Sequence, residues 1–263
     1  FWKTLQHEVM TLHEESKREL AIFFASEGNP DTSDEADLLN AVEAQTLGGL
    51  IFTSPPFALA DTPAIKQSGL PRVGIMAAPT YDIPAVYPDM TAFVDRAMEY
   101  MAAKKRRRIG LITMVIMDNR AVEENYIQKA KKMDLTLEPF CVQPSNFHVP
   151  GAAANVVNLM MHLPKDQRPT GLIMTDDNLV EPVSQGLIAA GVRVPEELEV
   201  VAHANFPLAA PDILPFRRLG FDCREMILKC LEIIDGQKQG RKSPDMTWLP
   251  PLFDDEIALR PKA

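Results

Sequence analysis

The sequence predicts an α/β fold with parallel sheets, arranged as two domains or as one bilobed domain. Short apolar runs of strand length alternate with longer segments of helical periodicity along most of the 263 residues. Some runs, such as Leu172-Ile173-Met174, are apolar at every position, which is typical of strands covered on both faces of a parallel sheet. A chain of this length also has enough residues for two domains.

Composition argues against several classes of protein. The 36 acidic and 27 basic residues give a net charge of −9, so we expect that this chain alone does not bind nucleic acid, which requires clustered positive charge. No apolar run approaches the ~18 residues of a membrane helix, and no signal peptide pattern is present. The three cysteines, Cys141, Cys223 and Cys230, lack metal-type spacing and indicate reduced thiols in the cytoplasm.

The first part of the chain begins with apolar side chains at helical spacing from Trp2 to Leu12, which predict an amphipathic helix ending among charged residues. Apolar runs bounded by Gly, Pro and Asp then predict alternating strands and helices. Residues 80–89 hold two prolines and two tyrosines and are predicted as a connector. The other predicted elements here are strands at 20–24, 48–52 and 71–76, and helices from Ser33 or Asp34 to 47 and at 61–68.

The second part continues the same alternation. A regular apolar stripe predicts a helix at 90–103. The strand predicted at 135–142 is interrupted by Pro139, and residues 207–215 contain three prolines and are predicted as a loop. The remaining predicted elements are a strand at 109–114 and helices at 120–133, 151–163 and 221–235.

Residues 170–205 form the most informative stretch, a predicted strand–helix–strand unit. Asp177 or Asn178 can cap the helix, and Gly191 can end it in a left-handed conformation. The second strand is predicted at 198–202, with His203, Ala204 and Asn205 just past its carboxyl end. Ligands of open α/β sheets bind at such strand ends.

This stretch resembles the effector-binding domain of lactose-repressor-type (LacI/GalR) transcription regulators. The resemblance is carried by Arg168-Pro-Thr-Gly-Leu-Ile, Asp176-Asp-Asn and Ala189-Ala-Gly-Val-Arg-Val-Pro-Glu-Glu-Leu. The family usually has Asn-Asp at 176–177 and a Gly-Phe/Tyr-Asp-Asp/Asn turn at 202–205. A weaker resemblance extends over nearly the whole chain, including Trp248-Leu-Pro-Pro.

The resemblance implies a two-lobed periplasmic-binding-protein-like fold, each lobe a parallel sheet flanked by helices. The amino lobe would comprise residues 1–86 and 220–249, and the carboxyl lobe residues 87–219 and 250–263. The chain would cross between lobes near 86–89, 216–219 and 249–252, and the ligand would lie between them. A first strand and a DNA-binding domain are expected upstream of Phe1.

The resemblance also implies a set of ligand-binding positions. Three positions where the family has charged side chains hold Met76, Val122 and Ala204 here, whereas Asp176 keeps a polar group. The remaining candidates share a position near these strand ends or in loops where the family contacts its ligand. They are Asn205, Arg120, Phe147, His148 and Ser54.

Catalytic and metal chemistry is not predicted. Asp176 and Asp177 are adjacent acidic residues at a strand end, but neighbouring residues leaving a strand point in different directions. The five histidines have no metal spacing, and the sequence has no zinc-protease, nucleophile-elbow, phosphate-loop or dinucleotide motif, so we predict no metal, no cofactor and no enzyme activity. The basic run at 104–108 is interpreted as a helix end and strand entry, the alternative being a phosphate contact or targeting signal.

The sequence therefore predicts the cytoplasmic effector-sensing and dimerisation domain of a bacterial transcription regulator. Its partners would be a small-molecule effector, sugar-derived or of other chemistry, and a second copy of the chain. Operator DNA would be bound only through an upstream helix-turn-helix domain, and no membrane is involved. The alternative is an extracytoplasmic solute-binding protein of a transporter, which a signal peptide upstream of Phe1 would indicate.

Overall fold

The computed structural model describes residues 1–24, 33–76, 81–114, 120–146, 148–149, 151–211 and 213–259, without the side chains of 33 and 120–122. The helices are α1 (Trp2–Glu15), α2 (Ser33–Glu43), α3 (Pro63–Lys66), α4 (Met90–Ala103), α5 (Arg120–Lys132), α6 (Ala152–Met161), α7 (Val180–Ala189), α8 (Cys223–Lys238) and α9 (Asp254–Ala258). The strands are β1 (Leu50–Phe52), β2 (Arg72–Ile75), β3 (Ala85–Pro88), β4 (Ile109–Met114), β5 (Val142–Ser145), β6 (Gly171–Met174), β7 (Glu199–Phe206), β8 (Arg217–Asp222), β9 (Met246–Leu249) and β10 (Leu252–Phe253).

Two compact units divide the chain. The amino unit contains Trp2–Pro88 and Cys223–Leu249, and the carboxyl unit contains Phe1, Asp89–Asp222 and Pro250–Ala263. The predicted α/β class with parallel sheets is confirmed, because each unit holds one sheet flanked by helices. The second boundary follows β8, three residues beyond the predicted crossing segment at 216–219.

The amino unit has a parallel sheet in the order β1-β2-β3-β9. Helix α8 packs closely on this sheet, since a Cβ added at Gly49 would lie 2.8 Å from a methyl carbon of Ile234. Helix α1 packs on α8 and is held there by Arg224, whose guanidinium bonds to Glu15 and lies 3.5 Å from the buried Glu8. Within the described part of this unit, α8 therefore contacts both the sheet and α1.

The carboxyl unit has a sheet in the order β10-β8-β7-β6-β4-β5. Its pairs are parallel except that the short edge strand β10 runs antiparallel to β8. One face is covered by α6 and α7, whose apolar side chains form a core with Leu172, Met174 and Val200. The other face carries α4, with Phe93 and Met98 fully buried.

The prediction of a strand at 20–24 was wrong, because the structure has no strand there. The backbone of these residues hydrogen-bonds locally to side chains instead of to a neighbouring strand. The N–H of Leu20 donates to His13 Nδ1 at 3.1 Å, and that of Phe24 donates to Asp34 Oδ2 at 3.0 Å. A strand exists only where a ladder partner is available, which an apolar run alone does not guarantee.

Several predicted boundaries also need correction. Residues 135–142 are not one strand, because Pro139 opens a 3₁₀ turn at Pro139–Cys141 and the strand β5 starts only afterwards. The connector at 80–89 contains β3, and the crossing at 216–219 contains the first three residues of β8. The short helix predicted at 61–68 is reduced to α3. By contrast, the helix at 90–103 and the strand at 109–114 match α4 and β4.

The basic run at 104–108 joins α4 to β4, as predicted. Its arginines are engaged by backbone carbonyls of their own unit: Arg106 donates to Pro195 O at 2.6 Å, and Arg108 donates to Arg168 O at 2.9 Å. These arginines therefore anchor loops. Within the described residues, no helix combines the length and apolar character that spanning a membrane requires.

Candidate functional site

The polar candidates of the carboxyl unit lie at the carboxyl ends of β6 and β7. These strands are neighbours in the sheet, with Met174 opposite Ala202. Asp176 and Asp177 follow β6 at once, and Asn205 is the penultimate residue of β7. Parallel pairing thus brings residues separated by a whole helix to one edge, where α/β sheets bind ligands.

Asp176 is the residue that caps the helical turn after β6. Its Oδ1 accepts hydrogen bonds from the backbone N–H and from the side-chain Nδ2 of Asn178, both at 2.9 Å. Its extended backbone, with φ −146° and ψ 135°, is the usual conformation of a capping residue. The assignment of the cap to Asp177 or Asn178 was therefore wrong by one or two positions.

Asp177 faces β7. Asn205, which is only 4% exposed, donates from Nδ2 to Asp177 Oδ2 at 2.8 Å. The backbone nitrogen of Phe1 lies 3.5 Å from the same oxygen. Asp177 and Asn205 therefore join the ends of the two strands.

His203 is a member of this cluster that the sequence analysis did not select. Residues two apart on a strand share a face, so His203 lies on the same side of β7 as Asn205. Its ring sits between Phe93 and Phe221, with centroid distances of 5.5 and 5.6 Å. The period-two spacing from Asn205 was the available signal, but it could not reveal the aromatic neighbours.

The imidazole of His203 is buried and held neutral. Burial lowers the pKa of His203 from its ordinary value of 6.5, and the carboxylates of Asp177 and then Asp176 oppose part of that effect. Among the described residues, its buried Nδ1 has no hydrogen-bond partner. A neutral imidazole has one donor and one acceptor nitrogen, so one hydrogen-bonding capacity of this ring is unused.

The remaining candidates of the carboxyl unit differ in how exposed their side chains are. Ala204 is completely buried, and a Cβ added at Gly220 in the paired strand would lie 1.8 Å from its carbonyl oxygen. His148 is exposed, and its N–H donates to Asn146 Oδ1 at 2.8 Å. Phe147 lies outside the described residues. Arg120 and Val122 lie in the first turn of α5, but their side chains are also outside the described set.

Ser54 and Met76 belong to the amino unit, where each follows a strand end. Ser54 is exposed after β1, and Met76 directly follows β2. Met76 has φ +52°, a left-handed conformation that is uncommon for a bulky residue, and its N–H donates to Val86 O at 3.1 Å. Both are thus at the edge of their own sheet where ligands of such folds bind.

The cluster of the carboxyl unit is suited to recognition by hydrogen bonds and charge. Asp176 and Asp177 hydrogen-bond to different partners, Asn178 and Asn205. Over the described ranges, no group of three or more His, Cys, Asp or Glu side chains has the arrangement of a metal site. The arrangement can bind polar groups of a small molecule, and it shows no nucleophile paired with a base.

Several solved structures similar to this chain are LacI family regulators. A LacI family transcriptional regulator from Lactobacillus casei with bound glucose is 16% identical over 96% of this chain and 93% of that chain, with a TM-score of 0.67. A regulatory protein of the LacI family from Chloroflexus aggregans is 17% identical over 95% and 89%, with a TM-score of 0.70. A putative ribose operon repressor from Burkholderia thailandensis is 16% identical over 96% and 93%, with a TM-score of 0.66.

These likenesses confirm at the level of the fold the predicted resemblance to LacI-type effector-binding domains. No curated protein matches the chain in sequence. Residues 98–252, more than half of the chain, match the family described as the periplasmic binding protein-like domain. The chain therefore belongs to the family of periplasmic binding protein-like domains.

Proposed function

We propose that this chain is the ligand-sensing and dimerisation domain of a bacterial LacI-type transcription regulator. The observation that carries the proposal is the likeness of its fold to regulators of that family over 95–96% of its residues. The polar cluster at the ends of β6 and β7 supports a small-molecule site. Similar regulators from Lactobacillus casei have been solved with bound glucose and with bound sucrose.

In this proposal the ligand acts by changing the populations of the protein's conformations. The domain binds the ligand and does not convert it chemically. A ligand that contacts one conformation better than another shifts the population toward it, and a two-fold dimer passes that shift to the attached DNA-binding domains. The proposal includes a cytoplasmic location and an upstream helix-turn-helix domain. A transporter's solute-binding protein would need neither self-association nor such a domain.

Unmodified hexoses and pentoses are expected to bind no tighter than the millimolar range. Each buried sugar hydroxyl needs a hydrogen-bonding partner, and Met76 and Ala204 provide apolar side chains where the family has charged ones. Calorimetry with a panel of free monosaccharides measures this directly. A micromolar sugar whose affinity is unchanged in Asp176→Ala would show both that sugars bind and that the site lies elsewhere.

Self-association is expected to involve α1 and α8. Both helices expose large apolar side chains, with Met10 56% and Leu228 39% exposed. Introducing charge by Met10→Glu together with Leu228→Glu should convert a dimer into a monomer in sedimentation experiments, because a buried unpaired carboxylate is costly. Leu159→Glu is the matched control, since Leu159 is 70% exposed on α6 of the carboxyl unit and should leave the dimer intact.

Sedimentation of the unmodified chain tests this part of the proposal. The chain is studied at tens of micromolar, a rough scale for weak association. A monomer at that concentration would contradict the dimerisation role. A dimer that survives the double substitution but dissociates with Leu159→Glu would place the interface on the carboxyl unit instead.

A further inference from the structure

Residues 250–258, here called the edge segment, add little apolar surface to the carboxyl unit that they join. At Pro250 the chain returns from the amino unit to the carboxyl unit. The edge segment then pairs the two-residue strand β10 with β8 and forms the five-residue helix α9. Within the segment only Pro251 is buried, and α9 has no buried residue. Burial of apolar side chains therefore holds this segment weakly.

Two arginines of the carboxyl unit hold the edge segment by charge. Arg217 of β8 donates to Asp254 and also to Asp255, the latter at 2.6 Å. Arg96 of α4 donates to Glu256 at 2.7 Å. Each acidic residue of α9 is thus paired with an arginine. The three carboxylates are 40–65% exposed, so dissolved ions reach these pairs and screen them.

The same two arginines also cover the ring of Phe253 in β10. The guanidinium carbon of Arg96 lies 5.0 Å from the ring centroid and that of Arg217 lies 4.6 Å from it, which is within the range of cation–π attraction. The ring of Tyr100 on α4 lies beside them, 5.5 Å from Phe253. Because the ion pairs and the ring contacts share two guanidinium groups, loss of one kind of contact weakens the other. The segment is therefore built to attach and detach as one unit.

We propose that the edge segment is a salt-sensitive clasp, which opens while the rest of the carboxyl unit stays folded. Opening frees the edge of β8 and releases the far end of the crossing at 249–250. The crossings at 88–89 and 222–223 then still join the two units. The clasp therefore sets whether two or three crossings are fastened. This inference goes beyond the sensing role and needs no ligand.

Hydrogen–deuterium exchange of the whole chain, measured by mass spectrometry, tests the proposal. We expect the amides of the edge segment to exchange at least tenfold faster than those of β7, because local opening requires less free energy than opening of the core. Raising the ionic strength from about 0.1 M to about 1 M shortens the screening length from ~10 Å to ~3 Å. That change should speed exchange in the edge segment at least threefold and leave β7 within twofold. An unstructured peptide corrects for the effect of salt on the chemistry of exchange.

A triple variant removes the charges of the segment and keeps the size of its side chains. Asp254→Asn, Asp255→Asn and Glu256→Gln together should speed exchange in the edge segment at least tenfold and abolish its dependence on salt. The matched control neutralises three exposed acidic residues of the same unit that lie outside the segment, and it should keep the parental rates within twofold. Its substitutions are Glu124→Gln, Glu138→Gln and Asp166→Asn.

A variant on the arginine side separates pairing from the helix itself. Acidic residues in the first turn also stabilise a helix through its dipole, so the triple variant weakens α9 in two ways. Arg96→Gln leaves the sequence of α9 unchanged and removes the partner of Glu256 and one of the two cations over Phe253. It should speed exchange in the edge segment at least threefold. Thermal melting of each variant shows whether the rest of the fold is intact.

Two outcomes would overturn the proposal. Exchange of the edge segment at the rate of β7 in every condition would show that it opens only when the whole unit unfolds. Equal acceleration by salt in the parent and the triple variant would show that these ion pairs do not control opening. A chain that is monomeric in sedimentation would count against the regulator role and leave the exchange result standing.

Discussion

Gly220→Ala is expected to lower the unfolding free energy of the carboxyl unit by about 3 kcal/mol or more, through overpacking against backbone. Strand β8 pairs Gly220 with Ala204 in β7, and a Cβ at Gly220 would lie 1.8 Å from the Ala204 carbonyl oxygen and 2.6 Å from its carbonyl carbon. Backbone in a six-stranded sheet cannot move aside as a flexible side chain can. Urea unfolding followed by circular dichroism measures the loss.

A second glycine provides the control. Gly236 lies in α8, where an added Cβ would approach only the Arg241 side chain, at 3.8 Å or beyond. Gly236→Ala should be neutral or stabilise the chain by about 0.5–1 kcal/mol, because alanine is the better helix former. Equal losses in the two variants would show that Gly220 has no special role.

His203→Phe is expected to raise the unfolding free energy by about 1–3 kcal/mol, the usual cost of a buried polar atom without a partner. The substitution keeps an aromatic ring between Phe93 and Phe221 and removes the unsatisfied Nδ1. A variant less stable than the parent would show that the nitrogen is satisfied in the protein.

The same variant is expected to change how stability depends on pH. Because burial depresses the pKa of His203 in the folded chain, the unfolded chain binds a proton below the ordinary value of 6.5 while the folded chain does not. Stability supplied by the neutral ring is therefore fully present above about pH 7 and falls as the pH decreases toward 5. Comparing melting temperatures across that range should show a smaller fall in His203→Phe than in the parent.

The long, regular elements were predictable because their signals are local. The spacing of the apolar residues alone predicts the helix α4 and the strand β4. The short strand β3 is different: Pro88 at its end and Pro84 just before it predicted a connector, and it becomes a strand only because β2 and β9 lie on either side of it. The run at 20–24 shows the reverse case, with strand-like residues and no ladder partner among the described residues.

The position of the candidate residues on the sheet could be predicted from the sequence, but their hydrogen bonds could not. The rule that ligands bind at strand ends placed Asp176 and Asn205 correctly at the edge of one sheet. Which carboxylate caps the helix depends on the backbone angles at Asp176, and these are set by how the chain leaves β6. The environment of His203 depends on Phe93 and Phe221, which come from distant parts of the sequence.

The order in which the two units appear along the chain has a consequence for synthesis on the ribosome. Strands β1, β2 and β3 of the amino unit are made first, but α8, which packs on β2 and β3, and the fourth strand β9 are made after the whole of β4 to β8. The nascent chain therefore carries an uncovered apolar sheet face while more than 130 residues are translated. We expect chaperones to bind the amino unit during that interval, and stop codons between residues 223 and 249 to yield aggregating products.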